Sequence, residues 1–343
     1  MTSVDNVTHL IPITVDDSSR ADWQKQLASA YKDPVALGHA LQLPQSWIAK
    51  HAPARQLFPM LVPRHFASLM NPRDLDDPLL RQVWPQADEF NEVAGYGTDP
   101  LGEAEVSTQP GVLHKYKSRL LVILRGGCAV NCRYCFRRHF PYSEHKFGRQ
   151  QLAELVAYLA KHPEINEVIL SGGDPLMASD ANISTLLDAI ESLPQVQRIR
   201  LHSRLPVVVP ARLTHGLAQR FRSSRLQAIL VIHANHPNEL STALGHGLAI
   251  WREAGIHLLN QSVLLKGVND SAKTLVRLSE ALFKMDVLPY YLHQLDKVAG
   301  ASHFAVDDTQ ATALIKRLQI ELPGFLVPKL VREIAGELSK TPV

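Results

Sequence analysis

From Arg119 onward the chain alternates short apolar runs with longer amphipathic ones, and this rhythm constrains the fold more than any other feature. RLLVILRG is followed by RQQLAELVAYLAKHP, EVILSGGD by NISTLLDAIESLP, and QRIRLHS by PARLTHGLAQRF. LQAILVIHA then precedes NELSTALGHGLAIWREAG, HLLNQSVLL precedes SAKTLVRLSEALFKM, and VLPYYLHQL precedes DTQATALIKRLQIEL. Strands buried on both faces read as continuous apolar runs, and a helix after each strand makes the next one parallel. Six such units predict an open, partial (β/α)6 TIM-like barrel, two units short of a closed one. The 343 residues exceed what that core needs. The proline-punctuated segments DWQKQLASAY, DPVALGHALQLP, HFASLM and DPLLRQVWP predict an N-terminal helical extension over 1–113, ahead of a core at 114–322 and a short C-terminal tail at 323–343.

The chemically distinctive residues cluster where such a fold puts its ligands. Three cysteines follow the first strand, SGGD closes the second, His202 and Arg204 the third, and His233 the fourth. Gln261 lies near the end of the fifth and Asp296 just after the sixth. Parallel α/β folds bind ligands at the carboxyl ends of their strands, so these positions should meet at one site.

All three cysteines of the chain fall within GGCAVNCRYCFRR, as Cys128, Cys132 and Cys135. The C-x3-C-x2-C spacing lets one loop present three thiolates to a common centre, the usual way of holding an iron–sulfur cluster. A four-iron cluster held so keeps one iron open for a ligand. A structural zinc with His139 as fourth ligand is the plainer alternative, although structural zinc more often joins two separated Cys-x2-Cys hooks. Clustered cysteines give no disulfide framework, which fits a reducing compartment. A net charge of +3 without a dense basic stripe gives no footprint for nucleic acid. MTSVDNVTHLIPITVDDSS lacks a leader's apolar run, and no segment reaches the ~18 apolar residues of a membrane span, so a cytoplasmic protein is expected.

These motifs together resemble the radical S-adenosylmethionine enzymes, in which the open iron of a [4Fe-4S] cluster binds S-adenosylmethionine. There Ser171, Gly172, Gly173 and Asp174 match the glycine-rich segment near the methionine amino group, and His233 and Gln261 match positions near the same cofactor. LHKYKSRLL, CRYCFRRHF, LSGGDPL, SRLPVVVPARLT, HANHPNEL, NQSVLLKGVND, PYYLHQLD and KTPV resemble the lysine 2,3-aminomutases more narrowly, from about residue 70 to the end.

That resemblance implies a pyridoxal 5′-phosphate carried by Lys340, with Lys115 and Arg119 against its phosphate. Read alone, a lysine so near the chain end is a solvated tail charge, although FLVPKLV could tether the tail to the barrel. The resemblance also implies Arg137 on the substrate carboxylate and Asp296 and Glu333 on the ε-ammonium of lysine. Glu333 stands where the family has an aspartate, and Lys297 beside Asp296 could neutralise it. Arg137 and Arg138 read without the family are a basic surface run. The implied reaction moves an amino group from Cα to Cβ of L-lysine, a 5′-deoxyadenosyl radical taking and returning hydrogen. The missing zinc-binding C-terminal region resembles the short bacterial forms that make (R)-β-lysine for attachment to elongation factor P by a separate ligase. An electron donor for the cluster is implied as well. Aminomutases for arginine or glutamate, and a non-catalytic iron–sulfur scaffold, remain as alternatives.

Overall fold

The computed structural model describes residues 22–103, 107–109, 111–140 and 147–343. The N-terminal stretch read for a leader lies outside them. Five short helices come first: α1 (Asp22–Ala28), α2 (Pro34–Ala40), α3 (Gln45–His51), α4 (Arg64–Ser68) and α5 (Pro78–Val83). Proline accounts for the starts of α2 to α5. Pro34 and Pro78 occupy the first turn, where the missing N–H would have no partner anyway, and Pro44 and Pro63 stand at the N-cap. Asp77, fully buried, caps α5 by accepting the backbone N–H groups of Leu79 and Leu80, both at 2.9 Å, an arrangement that contributes about 1 kcal/mol.

A ten-stranded sheet follows, its strands neighbouring one another in sequence order. β1 (Ser107–Gln109), β2 (Val112–Tyr116) and β3 (Arg119–Arg125) form an antiparallel entry. β4 (Glu167–Gly172), β5 (Arg198–Ser203), β6 (Gln227–His233), β7 (His257–Val263) and β8 (Leu288–His293) continue parallel to β3. β9 (Lys329–Arg332) adds another parallel strand, and β10 (Thr341–Pro342) turns back antiparallel on β9. The helices between the parallel strands are α6 (Arg149–Lys161), α7 (Asp180–Glu191), α8 (Leu205–Val208), α9 (His215–Arg222), α10 (Thr242–Glu253), α11 (Ala272–Phe283) and α12 (Asp308–Glu321). This is an open, partial barrel whose six βα units fall where the alternation places them. The sheet begins earlier than the alternation marks, since β1 and the first residues of β2 precede residue 114.

Local chemistry fixes where the outer helices begin. Ser179, Thr214, Ser241, Ser271 and Asp307 each accept the backbone N–H three residues on, at the starts of α7, α9, α10, α11 and α12. Strand residues Leu120, Leu170, Leu201 and Leu230 are fully buried and join Trp23, Leu27, Leu80 and Trp84 of the helical extension in one continuous apolar cluster. The extension therefore packs on the barrel as part of its core. No helix among the described residues is long and apolar enough to cross a membrane.

Candidate active site

Within the barrel, and reaching the carboxyl ends of its strands, lies a cavity of about 310 Å³. Its wall includes Lys115, Arg119, Cys128, Cys132, Cys135, Arg137, Ser171, Gly172, Gly173, Asp174, His233, Gln261, Asp296, Glu333 and Lys340. Every residue nominated for the cluster, the cofactors or the substrate thus reaches the same space, from segments more than 200 residues apart. Six Lys or Arg side chains face four acidic ones across it, a balance that favours anionic ligands such as phosphate and carboxylate.

The cysteine loop leaves β3 and is held from behind by the helical extension. Arg133, fully buried, donates to the Glu89 carboxylate from Nε at 2.8 Å and to the Phe58 carbonyl at 2.7 Å. Arg138 donates to the same Glu89 at 2.7 Å, and the Asn131 side chain to the Pro59 carbonyl at 2.9 Å. Arg137 and Arg138 are only 6% and 8% exposed, so the reading of a surface basic run fails. In front, the loop meets the end of β4 almost backbone to backbone. The N–H of Gly173 donates to Arg125 O and that of Asp174 to Gly127 O, at 2.8 and 3.0 Å. A Cβ on Gly173 would lie 2.5 Å from Gly127 O, and Gly172 has φ +116°, which is why two glycines are needed there.

The three thiols are unpaired by disulfides and all face the cavity. Burial, then the neighbouring thiols, push Cys128 well above the usual thiol range, and burial with Cys132 pushes Cys135 up to about 12. Three thiolates cannot coexist here unless positive charge compensates them, as an iron–sulfur cluster does. Among the described residues no group of three or more His, Cys, Asp or Glu side chains is placed to hold a single metal ion. His139 turns its Nε2 toward the Ala299 carbonyl at 3.3 Å, which removes the proposed zinc ligand. The residues fit a cluster better than a lone zinc.

Asp174 has a place the sequence did not suggest. Its carboxylate accepts from Ser203 Oγ at 2.7 Å and from the N–H groups of Leu176, Arg204 and Leu205 at 2.9–3.0 Å. It organises the turn after β5 and leaves the glycines and Ser171 facing the cavity. Burial holds its pKa above the ordinary value despite these donors.

On the other wall, β9 and β10 bring in the C-terminal lysine. Lys340 sits beside Glu333, whose Oε2 accepts from Lys340 Nζ while Oε1 accepts from Lys115 Nζ at 2.9 Å and Tyr116 OH at 2.6 Å. Burial alone would raise the Glu333 carboxyl, but the Lys340 ammonium and these donors hold it down to about 2. The tail lysine is therefore built into the sheet edge, 5.7 Å from the Tyr291 ring. Glu333 in this structure joins two cations rather than standing open for a third. Arg119 stacks over Tyr116 at 4.0 Å. A lysine with adjacent basic residues and tyrosine rings fits an aldehyde cofactor bearing a phosphate.

Asp296 follows β8. Burial drives its pKa up to about 7, partly offset by Lys340. Lys297 is exposed and uses its carbonyl to accept from Gly97 N, and no ion pair joins it to Asp296 among the described residues. Arg137 meets a carboxylate already: Nε and Nη2 donate to Glu103 at 2.7 and 2.6 Å, while Nη1 reaches Ser171 Oγ at 3.3 Å. His202, His233 and His293 line the same space and are kept neutral, by burial first and neighbouring cations second. Glu103, Tyr116, Arg200, Tyr291 and His293 were not found from sequence. Tyr116, Arg200, Tyr291 and His293 lie inside quoted segments and carried a signal that could have found them; Glu103 did not.

The Radical SAM superfamily model matches residues 122–239. The chain is 49% identical to the L-lysine 2,3-aminomutase of Escherichia coli (strain K12) over 332 residues, covering 96% of this chain and 97% of that one. It is 48% identical to the protein of the same name from Haemophilus influenzae over 320 residues, 93% and 95% of the two chains. With the L-lysine 2,3-aminomutase of Clostridium subterminale it shares 32% identity over 330 residues, 96% of this chain and 79% of that one.

Proposed function

Because this chain belongs to the L-lysine 2,3-aminomutase family of radical S-adenosylmethionine proteins, we propose that it converts L-α-lysine to β-lysine in the cavity described above. The observation that carries this is the convergence of the three thiols, Lys340 and Asp296 on one space. A bound cluster with S-adenosylmethionine supplies a carbon radical able to take hydrogen from an unactivated carbon, and pyridoxal phosphate supplies a carrier on which nitrogen can migrate.

The chain's own residues do the rest. Cys128, Cys132 and Cys135 hold the cluster, and Ser171, Gly172, Gly173, His233 and Gln261 face S-adenosylmethionine, with Asp174 behind them. Lys115 and Arg119 take the phosphate of the second cofactor, and Lys340 provides its covalent seat. To act as a nucleophile Lys340 must shed a proton. Glu333, held near pKa 2, stays ionised at neutral pH and fixes the Lys340 nitrogen at the cavity wall. Arg137 orients the substrate α-carboxylate, and Asp296 takes the ε-ammonium, which in a buried site needs an anionic partner, while Glu333 stays between Lys115 and Lys340. A glutamate-selective pocket would want a cation where Asp296 lies. Neutral histidines and a largely buried wall keep water from the reacting carbon.

We further infer that the product is (R)-β-lysine, made in the cytoplasm with electrons from a separate reductant and passed to a ligase that attaches it to elongation factor P. Near full-length similarity to the Escherichia coli L-lysine 2,3-aminomutase supports the β-lysine product itself. The chain divides for this purpose into 1–113, whose described residues from 22 onward include those that back the cysteine loop, 114–322, which presents the radical chemistry, and 323–343, which carries Lys340. The test is anaerobic reconstitution, reduction and incubation with lysine, arginine and glutamate separately. β-Lysine and 5′-deoxyadenosine by mass spectrometry, with chiral analysis, are expected. Product from arginine or glutamate alone would replace the substrate assignment, and absence of 5′-deoxyadenosine would favour the scaffold.

A further inference from the structure

Behind Cys132 lies a buried polar network that the reaction above does not use. Arg204, in the turn between β5 and α8, is 6% exposed. Its backbone N–H is gripped by Asp174 at 2.9 Å. Its Nη2 donates to Gln82 Oε1 at 2.8 Å and to Glu239 Oε2 at 3.2 Å, and its Nη1 to Tyr134 OH and, at 2.8 Å, to the sulfur of Cys132. The network closes on itself. Glu239, fully buried, also accepts from Gln82 Nε2, Asn235 N and His236 N, each at 2.9 Å. Asn235 Nδ2 donates to Gln82 Oε1 at 2.9 Å and to Tyr134 OH at 2.7 Å.

Withdrawing an arginine and a glutamate from water is costly, and a buried ion pair by itself is weak evidence of a stabilising role. What this one accomplishes is placement: a permanent cation is fixed against one particular sulfur by contacts from the helical extension, the turn after β4 and the segment after β6. Donors to a cluster's thiolates stabilise its reduced, more negative state over its oxidised one, and so raise the reduction potential. We propose that Arg204 is a positioning residue that sets the reduction potential of the cluster through Cys132. This rests on the cluster assignment above.

The test is a redox titration of the reconstituted protein without substrate, followed by electron paramagnetic resonance. Arg204→Lys keeps the charge but draws the donor back from sulfur, so its midpoint should be more negative than that of the wild type. Arg204→Met combined with Glu239→Gln removes both charges together. At a fixed potential it should lower the reduced-to-oxidised ratio at least tenfold, about 59 mV for one electron. Unchanged midpoints in both variants at wild-type iron content would overturn the proposal. If the double variant binds no iron, a wild-type midpoint in Arg204→Lys overturns it alone. A wild type that takes up no cluster would instead defeat the functional reading, which separates the two failures.

Discussion

Replacing Asp296 by asparagine tests the substrate assignment at its most exposed point. The rise of this carboxyl from 3.8 to about 7 means that charging it in the empty cavity is disfavoured by about 4 kcal/mol. A bound ε-ammonium relieves that penalty, and the asparagine variant leaves the ammonium short of one anion. The loss should be on the order of ~3–5 kcal/mol, a hundredfold or more in kcat/KM for lysine. The pH dependence has a definite sign. Below about pH 7 the free wild-type protein holds Asp296 protonated, so kcat/KM should fall about tenfold for each pH unit lost, and the variant should be flat across the same range. Stability should move the other way. A folded pKa above the unfolded value disfavours the fold increasingly as pH rises from about 4 to 7, so at pH 8 the asparagine apoprotein should melt at a higher temperature than wild type. Steady-state assays from pH 5.5 to 8.5 and a thermal melt suffice. Wild-type lysine turnover in the variant, or no inflection near pH 7 in the wild type, would move the ammonium site elsewhere.

Cys132→Ala should leave the reconstituted protein poor in iron and unable to cleave S-adenosylmethionine, measured by iron analysis and 5′-deoxyadenosine release; full cleavage would refute the ligand set. In Lys340→Ala, borohydride should no longer fix pyridoxal phosphate to the chain, and labelling of another lysine found by peptide mapping would make Lys340 a tail residue only. Gly173→Ala forces a Cβ to 2.5 Å from Gly127 O, backbone that cannot rotate away. A cost of about 1–3 kcal/mol, read by denaturant titration, should accompany impaired iron uptake, and an unaltered midpoint would show that the two loops can separate.

The barrel was legible because short strand runs with a buried apolar side alternate with longer helical runs apolar on one face, a difference that survives in a single sequence. The thiols, SGGD, His233 and Asp296 were legible because they lie at or just after strand ends. Resemblance then assigned roles to the lysines and arginines that spacing could not. What stayed hidden depends on pairing at a distance. β9 and β10 are four and two residues long, too short for any periodicity, yet they alone carry Lys340 from a chain end into the cavity. Glu333 looked like a carboxylate awaiting substrate, whereas folding sets it between Lys115 and Lys340. Asp174 looked like a ligand contact and is a backbone clasp, because the turn it holds lies about 30 residues further on.

The Glu103 carboxylate on Arg137 changes what affinity means at that position. A free amino acid docking there trades one carboxylate for another, so binding is an exchange reaction rather than the neutralisation of a bare cation. Added salt screens the incoming and the displaced partner alike, and the equilibrium should depend little on ionic strength. Amines that lack an α-carboxylate have nothing to offer in the trade. The guanidinium thereby acts as a turnstile, open only to ligands that bring their own token.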